Sequence, residues 1–161
     1  MNCAVTDFLE ESEASGRSDA YREIRRQLDQ LAEHLWLPET YQPQRGALAA
    51  VERTYHECCV PDWDGDGALA VSPATFEEAV HFVRSLPTRG RAPDVSAGRK
   101  GQIGFEWTQG HEAGLLVTTS GTGSLIYSAL YRGELHKGSV PFQERFPASL
   151  LAHLQAVLAA P

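Results

Sequence analysis

The stretch Gly101-Gln102-Ile103-Gly104-Phe105-Glu106-Trp107-Thr108-Gln109 alternates along its length. Ile103, Phe105 and Trp107 fall on one side of an extended chain, while Gln102, Glu106 and Thr108 fall on the other. Period two marks a strand with one buried face. Two more strand-like runs follow, Leu115 to Ser120 and Ser124 to Tyr131, and Gly133-Glu134 turns the chain toward a fourth near Leu135 to Val140. The links are Gly110 to Gly114 and Gly121-Thr122-Gly123. Links this short cannot carry a crossover, so successive strands must run antiparallel. The sequence predicts a meander of three to four strands.

Upstream the period is helical. Tyr21, Ile24, Leu28, Leu31 and Leu35 recur at spacings of three and four from Ser18 until Pro38. Such a seam packs on its own core or pairs with another helix. Leu28 and Leu31 are therefore candidate partner-binding residues, and a homodimer through this helix is one expectation. Pro38 to Gly46 reads as a connector. Leu48, Val51, Tyr55 and Cys58 make a second stripe that Pro61 stops.

Ser72-Pro73 reads as an N-cap followed by proline in the first turn, where the missing N–H costs nothing. Phe76, Val80 and Val83 are the expected buried face of that helix, which Pro87 ends. Thr88 to Gly101 reads as a loop. Pro147 opens a last helix carrying Leu150, Leu151, Leu154, Val157 and Leu158. Helices, then a meander, then a helix predict an α+β fold, the sheet covered on one face. Residues 1–17 read as a flexible start, 18–60 as a helical N-terminal region and 61–161 as the α+β core, compact overall.

Of 161 residues, 21 are acidic and 14 basic, a formal net charge of −7. Such a chain repels a phosphate backbone, which argues against direct nucleic-acid binding. No apolar run is long enough to cross a bilayer, so no membrane is expected. Residues 1–13 lack the layout of a signal peptide, and the cytoplasm is the expected location. Arg84, Arg89, Arg91, Arg99 and Lys100 form one basic cluster around the loop. Arg89 and Arg91 are candidate contacts for an acidic group on a partner.

The sharpest motif is Asp62-Trp63-Asp64-Gly65-Asp66-Gly67. Asp62, Asp64 and Asp66 match positions 1, 3 and 5 of a helix-loop-helix calcium loop, and Gly67 matches position 6. Position 12, which should be a bidentate Glu, is Pro73. Calcium through Asp62, Asp64 and Asp66 is thus one reading, short of ligands. The other is a structural turn built by Trp63, Asp64, Gly65 and Gly67: Asp-Gly pairs turn the chain tightly, and the Trp63 ring anchors it. Glu106 is a lone carboxylate, expected to pair with an arginine across the sheet. No catalytic constellation and no cofactor-binding set is visible.

Trp63, Asp64, Gly65, Gly67 and Ala68, then Ser72-Pro73, then Glu106-Trp107 together resemble a group of small bacterial proteins of no established activity. Their outline is a Trp-Asp-Gly-x-Gly-Ala turn, a helix opening with Ser-Pro and a strand ending in Glu-Trp. The likeness covers about the middle half of the chain. It implies an accessory or mobile-element gene product, and it includes only Asp64 of the three aspartates. The functional expectation is a non-enzymatic protein-binding module, an inhibitor or regulator of the anti-CRISPR, antitoxin or immunity type. The alternatives are a ligand-binding domain or small enzyme with a pocket lined by Trp107, Tyr127 and Tyr131, and a weak calcium module.

Overall fold

The computed structural model describes residues 42–88 and 90–160. The predicted seam helix, with Leu28 and Leu31, lies outside the described residues, as does Arg89. The described chain is α+β, as the periodicity predicts. Helix α1 (Gln42–Cys58) leads through the acidic turn to α2 (Pro73–Ser85). Five strands follow: β1 (Asp94–Gly98), β2 (Gln102–Gln109), β3 (Ala113–Thr119), β4 (Ser124–Tyr131) and β5 (Glu134–Pro141). Helix α3 (Ala148–Leu158) closes the described chain.

The sheet has five strands where the sequence predicts three to four. It runs in the order β1-β2-β3-β4-β5, every pair antiparallel. The additional strand is β1, inside the segment read as a loop. Only Val95 and Ala97 of its five residues are apolar and point to the core side, opposite Phe105 and Ile103. Its order comes from backbone pairing with β2, which leaves little hydrophobic pattern to read. Helix α1 likewise starts at Gln42, within the predicted connector. There Gln44 Nε2 donates to the Leu86 carbonyl at 2.6 Å and ties the helix start to the end of α2.

Register sorts the side chains into two faces. On the inner face lie Ile103, Phe105, Trp107, Leu115, Val117, Leu125 and Ala129, all buried. Helix α3 packs Leu150, Leu154 and Val157 on them, while Val51, Tyr55, Ala79 and Phe82 complete the core from α1 and α2. The buried stripe of α2 is Thr75, Ala79, Phe82 and Val83, so the expected stripe is correct at Val83 alone. Phe76 sits at its margin and stacks on Tyr55, ring centroids 4.5 Å apart at 28°. Each end of α2 behaves as the residue types dictate: the Ser72 hydroxyl accepts from Thr75 N at 3.1 Å, and Pro73 opens the first turn.

One long-range clamp joins α2 to the meander. Glu78 Oε2 accepts from Ser120 N at 2.9 Å and Gly121 N at 2.8 Å, and Oε1 accepts from Gly123 N at 2.7 Å. Three amides of the β3–β4 turn thus converge on one carboxylate. Gly121 has φ +72°, and a Cβ there would stand 2.8 Å from Thr75 N. The turn lies this close to the start of α2 because residue 121 has no side chain.

Candidate docking face

All three described helices lie on the inner face. The outer face carries four of the large exposed apolar side chains: Leu116 (41% exposed), Ile126 (56%), Leu130 (38%) and Leu135 (58%). They come from β3, β4 and β5 and are neighbours by register: Leu130 pairs with Leu135, while Thr118 pairs with Ile126 one row away from Leu116. Gly104, Gly114, Ser128 and Ser139 fill positions among and around them and keep the surface flat. Single exposed leucines are ordinary, but a contiguous apolar group on one face makes that face a candidate binding surface.

The middle row of this face crosses all five strands. Register sets Asp94 against Glu106, Glu106 against Leu116, Leu116 against Ser128 and Ser128 against Lys137. The row therefore reads acid, acid, apolar, hydroxyl, base. The arginine expected opposite Glu106 is absent: its neighbours are Asp94 and Leu116. Two like charges set side by side on adjacent strands repel, and a positive group above them would relieve that repulsion.

None of the four apolar residues is among the candidates read from the sequence. A signal was present nonetheless. Leu115-Leu116-Val117, Leu125-Ile126 and Ala129-Leu130 break the alternation by placing apolar residues at both parities. A strand of a half-open sheet needs only one parity for its core. The second implies another use for that face.

The acidic turn is held by hydrogen bonds to its own aspartates. Asp62 Oδ1 accepts from Gly67 N at 2.7 Å, and Asp64 Oδ1 accepts from Asp66 N at 2.9 Å and Ala68 N at 3.0 Å. The Trp63 indole donates to the Leu69 carbonyl at 3.1 Å. Arg99, from the β1–β2 link, lies between the other two carboxylates, with Nε 3.0 Å from Asp64 Oδ2 and Nη2 2.6 Å from Asp66 Oδ2. The Arg99 backbone carbonyl accepts from Leu69 N at 2.8 Å. Gly101 allows this approach, since a Cβ there would fall 2.5 Å from the Ala70 carbonyl oxygen. Among the described residues, no three His, Cys, Asp or Glu side chains are grouped to hold a metal. The guanidinium thus pairs with two of the three aspartates.

The amide of Asp66 does most to hold the Asp64 carboxyl below its ordinary pKa; burial opposes it, and the amide of Ala68 and the Arg99 guanidinium add to the lowering. A carboxylate depressed in the fold stabilises it above the unfolded pKa of about 4, and that contribution is lost as pH falls through the folded value. Thermal melts from pH 6 down to pH 2 should therefore show an acid-side loss that shrinks in Asp64→Asn. A variant that loses as much as the wild type would remove Asp64 from the acid response. In the same melts at neutral pH, millimolar calcium and EDTA should give the same midpoint, because Arg99 already pairs with Asp64 and Asp66. A calcium-specific rise would restore the metal reading.

Trp107 lies apart from the ring cluster of Tyr127 and Tyr131. The Trp107 indole donates to the Arg91 carbonyl at 2.9 Å, beside a cavity of about 30 Å³ bordered by Pro43, Leu86, Leu154 and Leu158. That space holds a water or two, not a metabolite. Arg91 itself is exposed and donates from Nη1 to the Thr108 carbonyl at 2.9 Å, so it ties the preceding loop to β2. Tyr127 and Tyr131 instead gather with His136 and His153 between β4, β5 and α3. Tyr131 stacks on His136 at 4.7 Å, and its hydroxyl lies 3.0 Å from His153 Nδ1. Burial, then the neighbouring His136, pushes the His153 pKa down. Glu134 Oε2 is 3.7 Å from His136 Nε2, beyond hydrogen-bond reach.

No protein-family model matches this chain, and neither a curated protein nor a solved structure matches it. Among the described residues, no helix is long and apolar enough to cross a membrane.

Proposed function

We propose that this protein is a non-enzymatic docking module that binds another protein through the open face of its sheet. The observation that supports this reading is the contiguous group Leu116, Ile126, Leu130 and Leu135, exposed on the side of β3, β4 and β5 opposite the core. A rigid sheet presents such a surface without ordering cost, which favours binding to a preformed partner. Asp94 and Glu106 at one margin disfavour a phosphate backbone and suit a partner that brings a lysine or arginine to that side. In this reading the protein works in the cytoplasm as an inhibitor or regulator, occupying a surface its target needs for something else.

The test is capture from lysate of the source cell, treated with nuclease, using tagged wild type and Leu130→Asp. The wild type is expected to retain one protein in stoichiometric amount. The variant should lose at least about tenfold of it, because a buried unpaired carboxylate costs more than 1.4 kcal/mol. Equal capture by a folded Leu130→Asp protein would overturn the assignment of this face.

A further inference from the structure

Resting on that reading of the open face, we infer that its occupant in the free protein is a second copy of this chain. The argument is the charge order of the middle row. Asp94 and Glu106 lie on β1 and β2, Leu116 on the central strand, and Lys137 on β5. A twofold axis lying in the interface and running along β3 exchanges left and right between two facing sheets. It lays β1 of one copy over β5 of the other, so Asp94 faces Lys137 of the second copy, and Lys137 faces its Asp94. Leu116 meets its own image on the axis. The row is therefore complementary to itself under the commonest symmetry of soluble oligomers.

The remaining residues agree with this placement. Ile126 and Leu130 lie to the β4 side of the axis, where the symmetry sets them over β2 of the second copy, and it sets Leu135 just beyond the Asp94 end of β1. Thr108 and Gly114, at outer positions of β2 and β3 in the row of Leu130, are small and leave room for larger side chains from across the interface. Two sheets packed about 10 Å apart with their strands aligned keep β1 and β5 within reach of a lysine side chain.

Size sets the strength. Five strands at about 4.8 Å and seven or eight residues at about 3.3 Å give a footprint of about 20 by 25 Å. Two copies would bury about 1,000 Å², the lower limit for a specific interface. Each chain also carries a net charge of −7, which opposes the encounter. The dimer is accordingly concentration-dependent, and a protein partner that takes the same face displaces it.

Sedimentation velocity of the full chain, from about 1 µM to about 1 mM in physiological salt, tests this. The wild type is expected to shift from monomer to dimer across that range. Leu130→Asp and, separately, the more exposed Ile126→Asp should stay monomeric, with circular dichroism confirming that each is folded. Lys137→Asp should weaken the dimer about tenfold or more, and adding Asp94→Lys to it should restore the dimer. A paired Leu28→Asp/Leu31→Asp variant should dimerise as the wild type does. A wild type that is monomeric at every concentration overturns the inference, as does a dimer unaffected by both face variants. Partner capture that depends on Leu130, from a protein that sediments only as monomer, would leave the docking face standing and remove the second copy from it. A dimer of the stated behaviour with no captured partner would do the reverse.

Discussion

Phe82→Ala is expected to cost about 3–5 kcal/mol, the usual range for deleting a fully buried aromatic ring. Phe82 is completely inaccessible and stands where three elements meet. Its ring lies 4.7 Å from Phe105 on β2, 5.6 Å from Phe146 and 6.0 Å from Phe142, both in the link before α3. Tilted and edge-on rings at these distances attract one another beyond the area they bury. Removing the central ring leaves a cavity that the others can fill only by moving a strand or a helix. A domain of this size holds about 5–15 kcal/mol in all, so the variant should be close to unfolding. Urea unfolding followed by far-UV circular dichroism should show a large drop in midpoint with an unchanged slope. A loss below about 1 kcal/mol would mean that the ring cluster repacks freely.

The second large effect belongs to Glu78. Hydrogen bonds to a charged group contribute about 1.5–3 kcal/mol each, less where water can replace the acceptor. Glu78 accepts three, two of them part-buried and that of Gly123 exposed. Glu78→Ala is thus expected to cost about 2–4 kcal/mol and to lower the melting point by about 10 °C. Glu78→Gln should cost about half as much, since its amide nitrogen would face a donor. Hydrogen exchange at residues 120–123 supplies the specific readout: those amides should lose protection in Glu78→Ala while the centre of β2 keeps its own. Unchanged exchange at the turn would show that the clamp does not hold it.

The difference between Phe82 and Glu78 also shows what a sequence reveals. Phe82 is apolar inside a helix, and some core position there is evident from spacing, although the stripe itself falls one position away from the predicted Phe76–Val80 pair. Glu78 looks like any solvated helix carboxylate. Its partners are 42 to 45 residues away, and no local pattern encodes a turn that returns to it. The meander is legible for the opposite reason: each strand pairs with its chain neighbour, so alternation and turn residues carry most of the information. The first strand escapes notice because Asp94, Ser96 and Gly98 hold its outer positions and two small apolar residues its inner ones. The exposed apolar face is visible only as a broken alternation. Which parity is core and which is open depends on the side of the sheet the helices choose, and that is a tertiary fact.

That separation of parities has a consequence for how such a protein can change. In β3 and β4, and in β2 from Phe105 on, the residues that hold the fold together and those that meet the outside world alternate along the same strands. Substitution at 116, 126, 130 or 135 touches no buried neighbour on the inner side, so its stability cost is small. A lineage under pressure to follow a drifting target could rewrite the outer positions repeatedly, while the inner ones stayed as they are. The fold would then outlast every particular specificity written on it, and descendants could share a core while having no binding residue in common.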